Sequence, residues 1–237
     1  MQSTCQIWTD LASAPLPPFR AVVMDMDGLV LDTESTYCRA WQHAAADLGF
    51  ALAGEFFLGL FGRHADDVKA GLADACGDSF DLQAFHAAAE KYWLAELAVS
   101  GVATMPGLDR LLDTLRTQGL PYALATNSDE PYASLCLNAA GIASAFPVLV
   151  TRDQVPTGKP APDVFLEAAR RLGVAPGDCL ALEDSATGLE ACASAGMIPV
   201  WVPPPHIRNG TCSQPAGVWI FSDLASVADR IEQRVWG

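Results

Sequence analysis

At 237 residues and 51% hydrophobic content, the chain has room for one large or two modest domains and ample apolar material to bury a core. Its formal net charge of −14 argues against a surface for nucleic acid or an anionic membrane, either of which needs a basic patch. No apolar run reaches the ~20 residues of a membrane span. Residues 1–18 lack a basic segment followed by an apolar one and read as a flexible leader rather than a signal peptide. The chain is therefore expected in the cytoplasm, as a monomer. Its 7 cysteines are scattered with no CxxC pair, the pattern of buried thiols rather than of a disulfide framework or a zinc site.

In chain order, Ala21–Met24 reads as a buried strand that runs into Asp25-Met26-Asp27-Gly28. Ser35–Leu48 carries Tyr37, Trp41, Ala44, Ala45 and Leu48 at helical spacing and stops at Gly49. Ala65–Ala75 and Leu82–Ala98 read as further helices, so the block from Thr33 to about Val99 is all helical. After Met105-Pro106-Gly107 the rhythm changes. A helix over Leu108–Thr117 is followed by a strand at Tyr122–Ala125. Then come a helix at Tyr132–Ala140, a strand at Val148–Val150, and a helix from Pro162 to Leu172. A strand at Cys179–Leu182, a helix at Ala186–Ala195 and strands at Ile198–Val202 and Val218–Phe221 follow. A helix over Leu224–Val235 closes the chain. Residues 203–217, rich in Pro and Gly, read as a surface loop.

Helices alternating with strands across short turns mean a parallel sheet covered on both faces. The fold class is thus α/β, a Rossmann-like parallel-sheet core (19–32 and 106–237) with an inserted all-helical cap domain (33–105). In such sheets the chemistry lies beyond the carboxyl ends of the strands. An insert placed directly after the first strand would roof that edge, with Asp32-Thr33 and Gly101–Pro106 as candidate hinges.

The strand ends carry polar sets. The first delivers Asp25 and Asp27, which on a strand would point to the same face and repel unless a cation lies between them. An Asp-Gly turn is the simpler reading of that tetrad. The second delivers Thr126-Asn127-Ser128, which could equally cap the next helix. The loop after the third holds Lys159, one of only three lysines, which could be a solvated loop residue. The fourth ends in Glu183-Asp184-Ser185, which could also be helix-capping chemistry. Taken together, the sets suit phosphoryl transfer. Clustered carboxylates are hard ligands for Mg²⁺. A carboxylate can attack phosphorus, hydroxyls and amides can cradle phosphate oxygens, and a lysine can offset the clustered negative charge. The substrate would be a small phosphorylated metabolite.

The stretches DMDGLVLDTE (25–34), ATNSD (125–129), GKPAPDVF (158–165) and LEDSATGLEACASAGM (182–197) resemble the haloacid dehalogenase-like phosphatases. The resemblance is to the branch with a helical C1-type cap that includes β-phosphoglucomutase. It implies Asp25 as nucleophile and Mg²⁺ ligand. It implies Asp27 as acid and base, binding the metal through its backbone carbonyl. Thr126 and Asn127 would bind the transferring phosphate, and Gly28 would let backbone N–H groups approach it. Lys159 would bridge nucleophile and phosphate, and Glu183 and Asp184 would complete the metal site.

In the cap, Thr33, Tyr37, Arg63 and His64 are the candidates for substrate selection. The mutase carries a His where this chain has Tyr37. It has a lysine and an arginine around its cap-loop glycine where this chain has Phe61 and Ala65. The expected function is therefore Mg²⁺-dependent hydrolysis of a small phosphomonoester, such as a sugar or organic-acid phosphate, through an aspartyl-phosphate. A β-phosphoglucomutase-like sugar phosphomutase is the alternative.

Overall fold

The computed structural model describes residues 15–60, 65–77, 80–204 and 217–233. Six strands form one parallel sheet: β1 (Ala21–Met24), β2 (Tyr122–Ala125), β3 (Leu149–Val150), β4 (Cys179–Glu183), β5 (Ile198–Trp201) and β6 (Trp219–Ile220). Their spatial order is β3-β2-β1-β4-β5-β6. Val23 pairs with Ala123 on one side and Ala181 on the other, so β1 lies inside the sheet. The chain first builds outward from β1 through β2 to β3. It then returns to the other side of β1 for β4, and a ligand crevice is expected where the winding reverses.

The period of two along each strand divides the core by size. Val22, Met24, Tyr122, Leu124, Leu180 and Leu182 face one layer. Ala21, Val23, Ala123, Ala125, Cys179 and Ala181 face the other. On the bulky face the sheet meets leucines of α5 (Leu108–Thr117), α6 (Glu130–Ala139) and α9 (Leu224–Glu232). On the small-residue face, α7 (Asp163–Leu172) and α8 (Ala186–Ser194) insert Phe165, Val164, Ala168 and Cys192. Burying Phe165 completely contributes roughly 1.5–3 kcal/mol.

Between β1 and α5 stand α1 (Thr33–Asp47), α2 (Gly54–Leu58), α3 (Ala65–Cys76) and α4 (Leu82–Ser100). They surround a separate apolar cluster of Ala44, Ala45, Phe57, Leu60, Leu72 and Phe85. Their two connections to the sheet run side by side and antiparallel. Asp32 N donates to Ala103 O at 2.9 Å, and Met105 N to Val30 O at 2.9 Å.

Helix starts differ from the sequence reading where a cap decides them. The Asp32 carboxylate accepts from Ser35 N at 3.1 Å and starts α1 at Thr33, inside one candidate hinge. Asp129 accepts from Tyr132 N at 3.1 Å and starts α6 at Glu130, with Pro131 in its first turn. Each cap contributes about 1 kcal/mol. The short helix α2 was not expected from the sequence, since five residues with no side-chain cap leave little periodicity to read. The loop reading at 203–217 falls mostly outside the described residues, as do most of the leader and the end of the last helix. Among the described residues no helix is long and apolar enough to cross a membrane. The five described cysteines are free, and Cys38, Cys136, Cys179 and Cys192 are buried.

Candidate active site

The carboxyl ends of β1 and β4 meet at a buried ionic cluster. Asp25 N donates to Leu182 O at 3.0 Å, which continues the β1–β4 ladder one residue past β1. The Asp25 carboxylate is ion-paired with Lys159 Nζ, which also donates to Glu183 Oε1 at 2.6 Å. Carboxylate oxygens of Asp25, Glu183 and Asp184 all lie within 4.8 Å of one another. Glu183 is fully buried and accepts from Asp184 N (3.2 Å), Ser185 N (3.3 Å) and Ser185 Oγ (3.0 Å). Ser185 also caps α8, accepting from Gly188 N at 3.1 Å. The Glu-Asp-Ser set thus serves as both cap and cluster.

Burial pushes the Asp25 carboxyl up to about 7. The Lys159 ammonium pulls against this, while the Glu183 and Asp27 carboxylates add to it. Asp184 is raised well above the ordinary carboxylate range, by burial first and then by Glu183 and Asp25. Burial alone would lower Lys159, but Asp25 and Glu183 outweigh it and hold the ammonium above its ordinary value. The lysine therefore stays charged, and the shortage of positive charge falls on Asp25 and Asp184. Three carboxylates face one ammonium, and a divalent cation would balance the remaining charge. The donor set is all carboxylate oxygen, which fits a hard divalent ion.

Asp27 does not share this cluster. Because β1 ends at Met24, the period-two rule fails beyond it: Val30 N and Leu31 N both donate to Met26 O, turning the chain. The two aspartates line the same cavity but have separate partners. Asp27 Oδ2 accepts from Ser128 Oγ (2.8 Å) and Thr126 Oγ1 (3.3 Å), and Oδ1 accepts from Tyr132 OH (3.1 Å). Asp129 caps α6, which leaves Thr126-Asn127-Ser128 for other contacts.

Asn127 grips the lysine loop: its Nδ2 donates to Lys159 O at 3.1 Å and its Oδ1 accepts from Lys159 N at 2.7 Å. A Cβ at Gly158 would overlap Asn127 Oδ1, so the Gly-Lys pair allows that grip. Gly28 adopts φ +80°, and a Cβ there would overlap the Asp184 carboxylate. Its own N–H is bonded to Leu31 O at 2.9 Å. What demands glycine at position 28 is thus the turn and the room for Asp184.

Above the cluster opens a cavity of about 630 Å³. Asp25, Asp27, Thr126, Asn127, Lys159 and Asp184 lie in its lining with Thr33, Glu34, Tyr37, Trp41 and Tyr132. The cap candidates Thr33 and Tyr37 are therefore at the site, whereas Arg63 and His64 lie outside the described residues. Sequence reasoning missed Glu34, Trp41 and Tyr132, and gave Ser128 only as part of the Thr126-Asn127-Ser128 set. Glu34 and Ser128 stood inside recognisable motifs, but Tyr132 on α6 carried no local signal. Burial pushes Glu34 up to about 7, with Asp32 and Asp27 adding repulsion. Tyr37 stacks on Trp93 of α4 at 5.2 Å between centroids, and Trp93 stacks on Tyr132 at 5.3 Å.

A probable pseudouridine-5′-phosphatase from Drosophila melanogaster is 33% identical over 213 residues, covering 87% of this chain and 89% of that protein. The β-phosphoglucomutase of Bacillus subtilis is 29% identical over 189 residues, covering 77% and 83%. A haloacid dehalogenase family hydrolase from Deinococcus radiodurans, crystallised with phosphate and sodium, superposes with a TM-score of 0.72. It is 31% identical, with 86% of this chain and 92% of that one covered. The profile of haloacid dehalogenase-like hydrolases spans residues 19–196, from the start of β1 past the end of α8. That span contains every described member of the ionic cluster, and the chain belongs to the haloacid dehalogenase-like hydrolase family, in the β-phosphoglucomutase-like branch.

Proposed function

We propose that this protein is a Mg²⁺-dependent phosphatase that hydrolyses a small phosphomonoester through an aspartyl-phosphate on Asp25. The observation that carries the reading is the buried Asp25 carboxylate, held by Lys159 and bordered by Glu183 and Asp184, at the floor of an open cavity. The Asp25 oxygen attacks phosphorus while the bond to the leaving oxygen breaks, and Asp27 gives that oxygen a proton. Asp27 then takes a proton from the water that attacks the aspartyl-phosphate, which releases inorganic phosphate and restores Asp25. Lys159 steadies the nucleophile and the negative phosphoryl oxygens. Thr126 offers a hydroxyl to the phosphate, and Asn127 fixes the lysine loop.

Asp25, Asp184, Glu183 and the Asp27 carbonyl would hold the Mg²⁺, whose charge would screen the nucleophile from the phosphate. Helices α1–α4 act as the cap, and Thr33, Glu34, Tyr37 and Trp41 face the leaving group. The relatives named for phosphatase activity support hydrolysis of a small phosphorylated metabolite. Free buried thiols fit a reducing compartment such as the cytoplasm.

The test is hydrolysis of p-nitrophenyl phosphate with Mg²⁺ and with EDTA, in wild type and Asp25→Asn. Turnover confined to the wild type with metal is expected, and full activity in either control overturns the reading. Incubation with a hexose 1-phosphate distinguishes the mutase alternative, which would yield the 6-phosphate without inorganic phosphate.

A further inference from the structure

Asp27 is held by three hydroxyls, and one of them is also in contact with the cap helices. Thr126 and Ser128 stand at the end of β2 with the phosphate-facing residues. The third, Tyr132, is on α6 and touches the cap. Its ring stacks on Trp93 of α4 at 5.3 Å with 17° between planes. It also lies 6.3 Å from the Tyr37 ring of α1, with 21° between the ring planes. Trp93 is in turn tied to α1, donating from Nε1 to Thr36 Oγ1 at 3.3 Å. Tyr132 itself stays with α6 on the sheet, but a shift of α1 and α4 would alter the ring contacts that orient its hydroxyl.

We infer that Tyr132 is a positioning residue that ties the Asp27 carboxylate to the seating of the cap, so that proton transfer to the leaving oxygen depends on where α1 and α4 sit. This rests on the role of Asp27 proposed above. Tyr132 acts through Asp27: its hydroxyl holds Oδ1, opposite the oxygen held by Ser128 and Thr126. Both oxygens are fixed, which sets the carboxylate plane. A misplacement of about 1 Å in such a group can cost roughly a hundredfold in rate.

Leaving-group basicity provides the readout. Phenyl phosphate and p-nitrophenyl phosphate are similar in shape, but phenolate is the stronger base and needs the proton more. Single-turnover cleavage of each is measured with enzyme in excess, for wild type and Tyr132→Phe, which keeps the ring stack. The expected result is a loss of about ten-fold on phenyl phosphate and less than about two-fold on p-nitrophenyl phosphate. Trp93→Leu, which removes the stack without touching Asp27, is expected to reproduce the same discrimination. Equal losses on both substrates in Tyr132→Phe, or no loss on either, overturns the inference. Asp27→Asn separates the two levels of the argument. If it too fails to discriminate between the substrates, the acid role of Asp27 is what fails. If it discriminates and Tyr132→Phe does not, the failure belongs to the positioning role.

Discussion

Gly188 and Glu183 compete for one space: a Cβ on Gly188 would overlap the buried Glu183 carboxylate. The first turn of α8 therefore lies directly on the side chain that anchors Lys159. Gly188→Ala should force Glu183 off its hydrogen bonds to Ser185 and away from the lysine. Overpacking of this kind costs about 1–3 kcal/mol. A lowered melting temperature together with lowered kcat is expected, and thermal denaturation alongside a phosphatase assay checks both.

Lys159→Met should be worse for the fold than an ordinary buried substitution. It leaves Asp25 and Glu183 without their shared cation. Removing one partner of a buried pair costs roughly 3–5 kcal/mol. Activity is expected to fall below detection while the protein still folds in low denaturant. Urea titration measures the first quantity and turnover the second.

A divalent ion should stabilise the wild type by supplying the charge that the carboxylate cluster lacks. At a hundred times its Kd, a ligand specific for the folded state contributes about 2.7 kcal/mol. Adding Mg²⁺ after EDTA treatment should raise the melting temperature of the wild type. Asp184→Asn should largely abolish that rise, because it removes a carboxylate from the cluster. Differential scanning fluorimetry across a Mg²⁺ titration reads both.

The metal-free protein should also lose stability as pH rises. Asp25 and Glu34 are both pushed up to about 7 by burial and neighbouring carboxylates. A carboxyl raised on folding binds its proton more tightly in the folded state. Its contribution is therefore present below the ordinary pKa near 4 and is lost as pH rises through about 7. In EDTA, the melting temperature should fall between about pH 5 and pH 8. Mg²⁺ should flatten that fall, since it compensates the charge on Asp25.

Much of this architecture could be read locally. The strand at Ala21–Met24 and the helix at Leu108–Thr117 have the bounds their apolar periodicity and flanking Gly and Pro residues indicated. Asp25, Glu183 and Asp184 were legible because each sits within a residue or two of a strand end or a helix start, and Lys159 because it lies in the loop after the third strand as one of only three lysines. Helix α2 was not legible, since five residues without a cap carry almost no pattern.

The sequence by itself determined the parallel sheet and the order in which polar groups reach the strand ends. Those depend on periodicity and on turn residues, which act over a few positions. Only the tertiary structure decided how the two aspartates divide their partners. The turn after Met24 sends Asp27 toward a tyrosine 105 residues away and leaves Asp25 with a lysine 134 residues away. Contacts at that separation follow from how helices pack on the sheet and how α1 and α4 rest against α6. The same packing makes Gly188 necessary, because the atom it lacks is the room that Glu183 occupies.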